Sequence, residues 1–454
     1  MRHYSTALKN AGYDVTVLDT SNEKPKQYPG VSVKQFYIPP DFSGRKEAII
    51  RFLTKPYNGF SMVNAQVDGN KFMMELIEQK WGELSALLAT PYDLIVIDDI
   101  PCVHCAVISS VLNRIHGSKV VLFSTTKPLD YNMILLGLTK SIAISPYIFT
   151  VMPRNSDDIM DFRKFKDRIS NIKLWVYEIY GFLMTDEAST ISSANYLGLP
   201  AFQWSSFYQK IGLSVIESID YNIWPIPTLP MIKHTGIHCE RPNFSKIPQD
   251  LKVFIEDPAS KGTIYIAFGS YIDFTYAPEH LIEALVNGVQ RLSEYRVVVS
   301  VKINGTKIAK QPYVRYVEWS PQIEILSHPK TKAFLTHGGL KSIKESICAK
   351  VPIVIMPLFA EQSANAQLVG KARIGRILNK FTVNEHVFAE EIKTAAKDPV
   401  YKKNIVKMHD LWTERPISQL DEVPHPDFSG QLKINTNVGC VEMQKNAVGG
   451  AYEA

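Results

Sequence analysis

The chain has 454 residues, too many for one ordinary core, and its length predicts at least two domains. Hydrophobic residues make up 45% and charged residues 21%, a composition that excludes a disordered chain. The 50 Lys and Arg residues against 45 Asp and Glu residues give a net charge of only +5, without a basic stripe. We therefore expect no nucleic-acid partner.

The first half alternates short β-branched runs with helical patterns, which is typical of parallel sheets with crossover helices. Gly12 precedes the first run and fits the end of a helix that turns into a strand. The region from about 125 to 218 is longer in pattern and more aromatic, and we expect it to be mostly helical and to shape a pocket. The predicted strands of this half are 13–18, 31–37, 93–98 and 119–124.

Prolines cluster at 224–230, with Pro242 and Pro248 beyond, where neither a helix nor a central strand can continue. This stretch predicts a domain linker. A second alternating series follows it, with predicted strands at 263–270, 296–300, 333–336 and 353–357 and helices from Glu279, Leu340 and Glu361. The sequence therefore predicts an α/β fold of two doubly wound sheets, with the ligand cleft at the carboxyl ends of the strands.

The five cysteines are too few for a disulfide framework, although they permit one bridge. Cys102 and Cys105 have CxxC spacing, but no second pair completes a zinc site, so we expect buried thiols and no metal. The sequence predicts neither a signal peptide nor a membrane span. Its most apolar stretch, 133–152, contains Lys140 and Pro146.

The most informative segment runs from Trp319 to Gln362. It contains a strand that ends in His337-Gly338-Gly339 and opens a helix at Leu340, which presents unpaired amides and a positive dipole end to an anion. Ser342 and Glu345 are three residues apart and project from one face of that helix. The segment therefore predicts a diphosphate site with a carboxylate placed for sugar hydroxyls.

Each of these residues has a plainer interpretation when it is taken alone. His337 could be a loop histidine, Trp319 a core residue, and Glu361 an acid favoured by a helix N-terminus. The joint spacing favours the binding site. Trp319 offers a flat face to a base, and Glu361 and Gln362 offer acceptors and donors to a hexose.

In order and spacing, the segment resembles the signature of the UDP-glycosyltransferase family, from Trp319 through Gln322, His337 and Gly339 to Gln362. The linker, the strand end at Phe268-Gly269-Ser270 and the strand 93–98 resemble the same family. The resemblance covers about residues 1 to 420. It implies a GT-B fold, in which two Rossmann-like doubly wound domains face each other across a cleft.

The resemblance also implies roles for individual residues. Trp319 would stack on uracil, while Gln322 and Glu345 would hold the ribose. Ser270, His337, Ser342 and the amides near Gly338 and Gly339 would hold the diphosphate, with Glu361 and Gln362 on the transferred sugar. Asp98, with Asp99 as second choice, would orient a histidine base that deprotonates the acceptor hydroxyl, and the reaction would invert the anomeric centre.

Three features depart from the family pattern. The position of the base histidine falls ahead of Met1, and His3 would point in a different direction from the same helix. Lys341 stands beside the diphosphate where many members have Asn or Gly. Beyond about Asp421 the resemblance ends, and the membrane anchor of the family is not matched.

We therefore expect an acceptor domain over 1–240, a UDP-sugar domain over 241–420 and a divergent tail over 421–454. The expected partners are a UDP-sugar co-substrate, carrying glucose or glucuronic acid, and a small lipophilic acceptor, with no cofactor. The family resides at the lumenal face of the endoplasmic reticulum membrane, and membrane association is expected only of anchored relatives. A UDP-sugar-binding protein with little catalysis is the first alternative. A UDP-sugar epimerase is the second, which Glu361 and Gln362 disfavour.

Overall fold

The computed structural model describes residues 2–20, 30–36, 43–57, 60–98, 103–124, 129–138, 142–199, 202–217, 223–224, 228–303, 311–416 and 437–442. Within these ranges the chain forms two parallel sheets flanked by helices, which confirms the predicted α/β class. Both sheets have buried strands with few polar residues, as parallel strands covered on two faces require.

The first sheet has seven strands in the order β2-β1-β13-β3-β4-β5-β6. Its strands are β1 Asp14–Asp19, β2 Ser32–Gln35, β3 Leu94–Asp98, β4 Lys119–Ser124, β5 Ile211–Ile216, β6 Ile232–His234 and β13 Asn437–Glu442. The helices between β1 and β6, with α1 ahead of them, are α1 Arg2–Asn10, α2 Ser43–Thr54, α3 Phe60–Gln79, α4 Trp81–Ala89, α5 Val103–His116, α6 Asp130–Leu135, α7 Phe165–Tyr196 and α8 Trp204–Tyr208. Gly12, at φ +95°, ends the turn after α1, as predicted.

Strand β13 comes from the segment that the sequence places in a divergent tail. It lies between β1 and β3, where Val438 is opposite both Val15 and Leu94. The sequence pattern did not reveal this strand, because Asn437-Val-Gly-Cys-Val-Glu442 is isolated from the alternating series and contains Asn and Gly. The first sheet is therefore completed by a strand from near the end of the sequence, which pairs with strands from its first hundred residues.

The second sheet has six strands in the order β12-β11-β10-β7-β8-β9. Its strands are β7 Thr263–Ala267, β8 Arg296–Ser300, β9 Val314–Val317, β10 Thr331–Thr336, β11 Ile353–Ile355 and β12 Gly375–Ile377. Its helices are α9 Gln249–Ile255, α10 Glu279–Gln290, α11 Gln322–Ser327, α12 Leu340–Cys348, α13 Gln362–Ala372, α14 Glu385–Lys397 and α15 Pro399–Thr413.

Helix α2 belongs to the first half of the sequence but packs on the second sheet. Its side chains Ala48, Ile49, Phe52 and Leu53 are buried in the same core cluster as Ile264 and its neighbours. The buried Lys380 ammonium donates to the carbonyls of Phe52, Lys55 and Leu358, the last at 2.6 Å. This helix therefore ties the first half of the chain to the loop after β11.

Two sequence expectations need correction. The region 125–218 is not only a helical insertion, because β5 lies within it and pairs with β4 and β6. Cys105 is disulfide-bonded and not a free thiol, while Cys102 lies outside the described residues. Cys239 and Cys348 form a separate bridge that joins the linker to the end of α12, so the cysteines form more than the one bridge expected from the sequence.

No helix within the described ranges is both long and apolar enough to cross a bilayer.

Candidate functional site

The predicted donor residues gather at one edge of the second sheet. Strands β7, β10 and β11 are parallel neighbours, so their carboxyl ends meet at this edge. The loops after them carry Ser270, the segment 337–339 and the segment 357–362. Parallel pairing thus brings together residues that are up to about 90 positions apart in sequence, as switch-point loops do in this class of sheet.

The loop after β10 is built around glycine. Gly338 has φ +90°, and a Cβ at that position would lie 2.2 Å from Ile355 Cδ1. A Cβ on Gly339 would lie 2.8 Å from His337 Nε2, and one on Gly269 would lie 3.0 Å from His337 Cε1. The buried imidazole of His337 therefore occupies space that only glycines leave open.

Helix α12 starts directly after this loop. Its N-cap is Gly339, which has no side chain to satisfy the first amides of the helix. The Asn365 side chain donates to the Gly338 carbonyl at 2.9 Å and holds the loop from α13. The first amides of a helix, beside close-packed glycines, are the kind of group that binds anions such as a diphosphate.

Gln322, the first residue of α11, hydrogen-bonds to two other predicted residues, Ser342 and Glu345. Its Nε2 donates to Ser342 Oγ at 3.2 Å and to Glu345 Oε2 at 2.5 Å. Its Oε1 accepts from the Tyr265 hydroxyl at 3.3 Å, and that hydroxyl also bonds Ser320 Oγ at 2.9 Å. The structure thus brings Gln322, Ser342 and Glu345 together with hydrogen bonds that fix their directions.

Burial controls the electrostatics of this group. It raises the pKa of Glu345, and the hydrogen bond from Gln322 acts in the opposite direction. Burial also raises the pKa of Tyr265 to about 12, so its hydroxyl stays protonated and can donate. Tyr265 was not predicted from the sequence, because a tyrosine in a buried strand has the same pattern as a core residue.

Trp319 lies on the loop after β9 and is 77% exposed. A tryptophan this exposed offers a ring face to a planar ligand, and Ser320 and Gln322 place it beside α12. Ser270 and Lys341 are also exposed at this edge, so both can reach a bound anion.

The turn after β11 has two different polar residues. Gln362 is buried, and its Oε1 accepts from the amides of Leu358 and Phe359 at 2.8 and 3.0 Å, so it closes the turn. Glu361 is half-buried at the N-cap of α13. The Phe359 ring stacks on Phe52 of α2 at 4.4 Å, which brings the first half of the chain against this turn.

Asp98 ends β3 in the first sheet and is 7% exposed. Its negative charge acts on Lys344 of α12 and raises the pKa of that lysine. Asp99 lies outside the described residues, as does the side chain of His3. Lys344 itself was not singled out by the sequence pattern.

Comparison with known proteins identifies the family. The profile described as "UDP-glucoronosyl and UDP-glucosyl transferase" matches residues 59–424. Human UDP-glucuronosyltransferase 1A3 is 26% identical over 386 residues, which is 82% of this chain and 66% of the relative. Rabbit UDP-glucuronosyltransferase 1A6 is 30% identical over 199 residues, 44% of this chain and 36% of the relative.

Solved structures agree on the fold. The Medicago truncatula UGT71G1 complexed with UDP-glucose superposes with a TM-score of 0.59 at 18% identity, covering 93% of this chain and 95% of that one. The glycotransferase of kitacinnamycin gives a TM-score of 0.60 at 15% identity, covering 95% and 94%. These neighbours confirm the predicted GT-B fold.

The chain therefore belongs to the UDP-glucuronosyl and UDP-glucosyl transferase family. It spans from about a third to two thirds of the length of the first curated relatives that it matches.

Proposed function

We propose that this protein transfers a hexose from a UDP-sugar to a hydroxyl of a small lipophilic acceptor, with inversion at the anomeric carbon. The observation that carries the proposal is the network of Gln322, Ser342 and Glu345 beside the glycine loop at the start of α12. This arrangement offers oriented polar groups to a ribose and free helix amides to a diphosphate.

In the proposed complex, Trp319 stacks on uracil, and Gln322 and Glu345 hold the ribose. His337, Ser342, Ser270, Lys341 and the amides of 338–339 hold the diphosphate. Glu361 and Gln362 face the transferred hexose, which is glucose or glucuronic acid. Because Gln362 Oε1 already accepts two backbone amides, its NH₂ group is the part that remains for the sugar.

The reaction forms a bond between the acceptor oxygen and the anomeric carbon while the bond from that carbon to the diphosphate oxygen breaks. Negative charge grows on the departing UDP, and the amides at the start of α12 stabilise it there. The acceptor proton passes to a general base, which Asp98 orients in the proposal. A metal ion or cofactor is not required for these steps.

We further propose that the protein works in an oxidising compartment, the lumen of the endoplasmic reticulum. Cys239–Cys348 supports this placement, since such bridges persist where thiols are not kept reduced.

Isothermal titration of the chain with UDP, UDP-glucose and UDP-glucuronate tests the donor site. We expect all three to bind, and His337→Ala to weaken UDP binding by roughly 1 to 3 kcal/mol through loss of a charged hydrogen-bond partner. His386→Ala, at an exposed histidine of α14, is the matched control and should leave UDP affinity unchanged. Absence of UDP binding by the parent chain contradicts the proposal.

Product formation with a phenolic acceptor then separates the enzyme from its alternative, a UDP-sugar-binding protein with little catalysis. A chain that binds UDP-sugar but forms no product supports the alternative.

A further inference from the structure

A buried ion pair joins the donor helix to the first sheet. Lys344 of α12 is 6% exposed, and its Nζ lies 2.6 Å from Glu217 Oε2. Glu217 directly follows β5, and its amide donates to the Ser124 carbonyl at the end of β4, at 3.0 Å. The carboxylate that receives Lys344 is therefore fixed to the carboxyl edge of the first sheet.

The negative charge of Asp98 also acts on this ammonium. Burial lowers the pKa of Lys344, while the negative charges of Glu217 and Asp98 raise it and the neighbouring Lys341 lowers it. Strands β3, β4 and β5 are adjacent, so Asp98 and Glu217 end strands at one edge of the sheet. Glu217 thus pairs directly with one cation of the second half, and the charge of Asp98 at the same sheet edge acts on that cation.

Lys344 also adjoins the donor network in sequence. The next residue, Glu345, is held by Gln322 on the other side of the helix, and Ser342 is held by the same amide. A short helix moves as a rigid unit, so a shift that a donor imposes on Ser342 and Glu345 must move Lys344 as well. The ion pair then carries that shift to Glu217 and Asp98.

We infer that Lys344 is a positioning residue that couples occupation of the UDP-sugar site to the acceptor-side edge of the first sheet through Glu217 and Asp98. This inference rests on the proposed donor site but makes a separate claim. Donor binding needs only the second half of the chain, whereas the coupling needs the ion pair across the two halves. Two sites that are linked through a shared contact are energetically coupled. Two sites without such a link are independent of each other.

The test measures hydrogen exchange of segment 211–217, with and without saturating UDP, in the full chain. In the parent chain we expect UDP to slow exchange of these amides. Lys344→Met should still bind UDP, with an affinity changed only by the lost coupling, yet lose the UDP-dependent slowing. Lys350→Met is the matched control, because Lys350 forms an exposed ion pair with Asp410 at 3.5 Å, and it should behave as the parent does.

A second set of variants separates positioning from simple destabilisation. Lys344→Glu should abolish the slowing by placing three acidic groups together, and the exchanged pair Lys344→Glu with Glu217→Lys should restore it. If the lysine variants do not fold, Glu217→Gln tests whether the coupling needs the negative charge of Glu217, because glutamine keeps a hydrogen-bond acceptor at this position.

The inference is wrong if UDP still slows exchange of segment 211–217 in Lys344→Met or Glu217→Gln. It is also wrong if the exchanged pair behaves like Lys344→Glu alone, or if the parent chain binds UDP without any slowing of exchange. Failure of the parent to bind UDP would instead contradict the proposed function, and titration detects that result before any exchange is measured.

Discussion

Two glutamates, the partly buried Glu345 and the fully buried Glu178, differ in the hydrogen bonds that their carboxyl groups make. Glu345 on α12 accepts a hydrogen bond from Gln322 and lies within a network of paired groups. Glu178 on α7 is 1% exposed, and neither of its oxygens has a hydrogen-bond partner among the residues that the structure describes. Burial, and secondarily the charge of Asp130, raises the pKa of Glu178 well above 4.5.

The surroundings of the two carboxyls differ as well. Leu174, Trp175 and Ile179 of α7 pack against an apolar cluster that includes Tyr147, whose hydroxyl also lacks a partner in the described part of the chain. The charges of Glu178 and Glu361 both act on Tyr57. The proposed donor site is held by hydrogen bonds, whereas Glu178 in the first half keeps a carboxyl group that has no hydrogen-bond partner among the described residues.

The largest effect that we expect on the donor side comes from Gly338→Ala. The new Cβ would meet Ile355 Cδ1 in a packed core and would stand at φ +90°, which L-residues avoid. We expect a loss of roughly 2 to 5 kcal/mol in unfolding free energy, from overpacking plus backbone strain, and a UDP affinity more than tenfold weaker.

Gly82→Ala is the control for this substitution, because nothing lies within 4 Å of a Cβ there and the residue sits inside α4. It should not reduce stability. Chemical denaturation and UDP titration of both variants make the comparison, and equal behaviour would show that the glycine loop is not shaped as described.

Replacing each glutamate by methionine tests the comparison directly. Glu178→Met removes an unpaired buried carboxyl and should stabilise the fold by roughly 1 to 3 kcal/mol at pH 7.5. Glu345→Met removes one of the two acceptors of the Gln322 NH₂ group, while Ser342 Oγ remains, and should destabilise the fold by a similar amount and weaken UDP binding. Denaturant melts measure the unfolding free energy of both variants. If both substitutions change it in the same direction, the proposed difference between the two carboxyl groups is wrong.

The gain from Glu178→Met should depend on pH. Because the folded-state pKa is raised, the native protein retains a proton that the unfolded chain releases, and the parent loses stability as pH rises above about 4.5. The stability difference between variant and parent should therefore be smaller at pH 5 than at pH 7.5. A difference that grows toward pH 5 would mean that Glu178 is ionised in the native state.

The smallest effects separate Glu361 from Gln362. Gln362→Ala leaves the amides of Leu358 and Phe359 without their acceptor and should cost roughly 1 to 3 kcal/mol of stability. Glu361→Ala should leave UDP affinity unchanged and reduce only the preference for UDP-hexose over UDP. Thermal melts measure the stability of the variants, and paired titrations measure their affinities for UDP and UDP-hexose. Weaker binding of UDP itself by Glu361→Ala would contradict the assignment of Glu361 to the sugar.

The proposed donor site could be predicted because all its residues except Ser270 lie in one continuous segment. From Trp319 to Gln362, strand, glycine loop and helix follow each other, so local sequence already specifies which residues share a face. The structure brings Gln322 to Ser342 and Glu345 as that segment implies, although their roles toward a ligand remain predictions. Tyr265 was missed because its hydroxyl faces Gln322 only after β7 pairs with β10.

By itself, the sequence determined the α/β class, the glycine loop before α12 and the family resemblance, because hydrophobic period, glycine position and motif spacing are local properties. Only the tertiary structure decided that β13 enters the first sheet, that α2 packs on the second core, and that Lys344 meets Glu217. Each of these contacts joins residues more than a hundred positions apart or on different sheets. Their formation depends on which surfaces are buried together, and no local pattern records that choice.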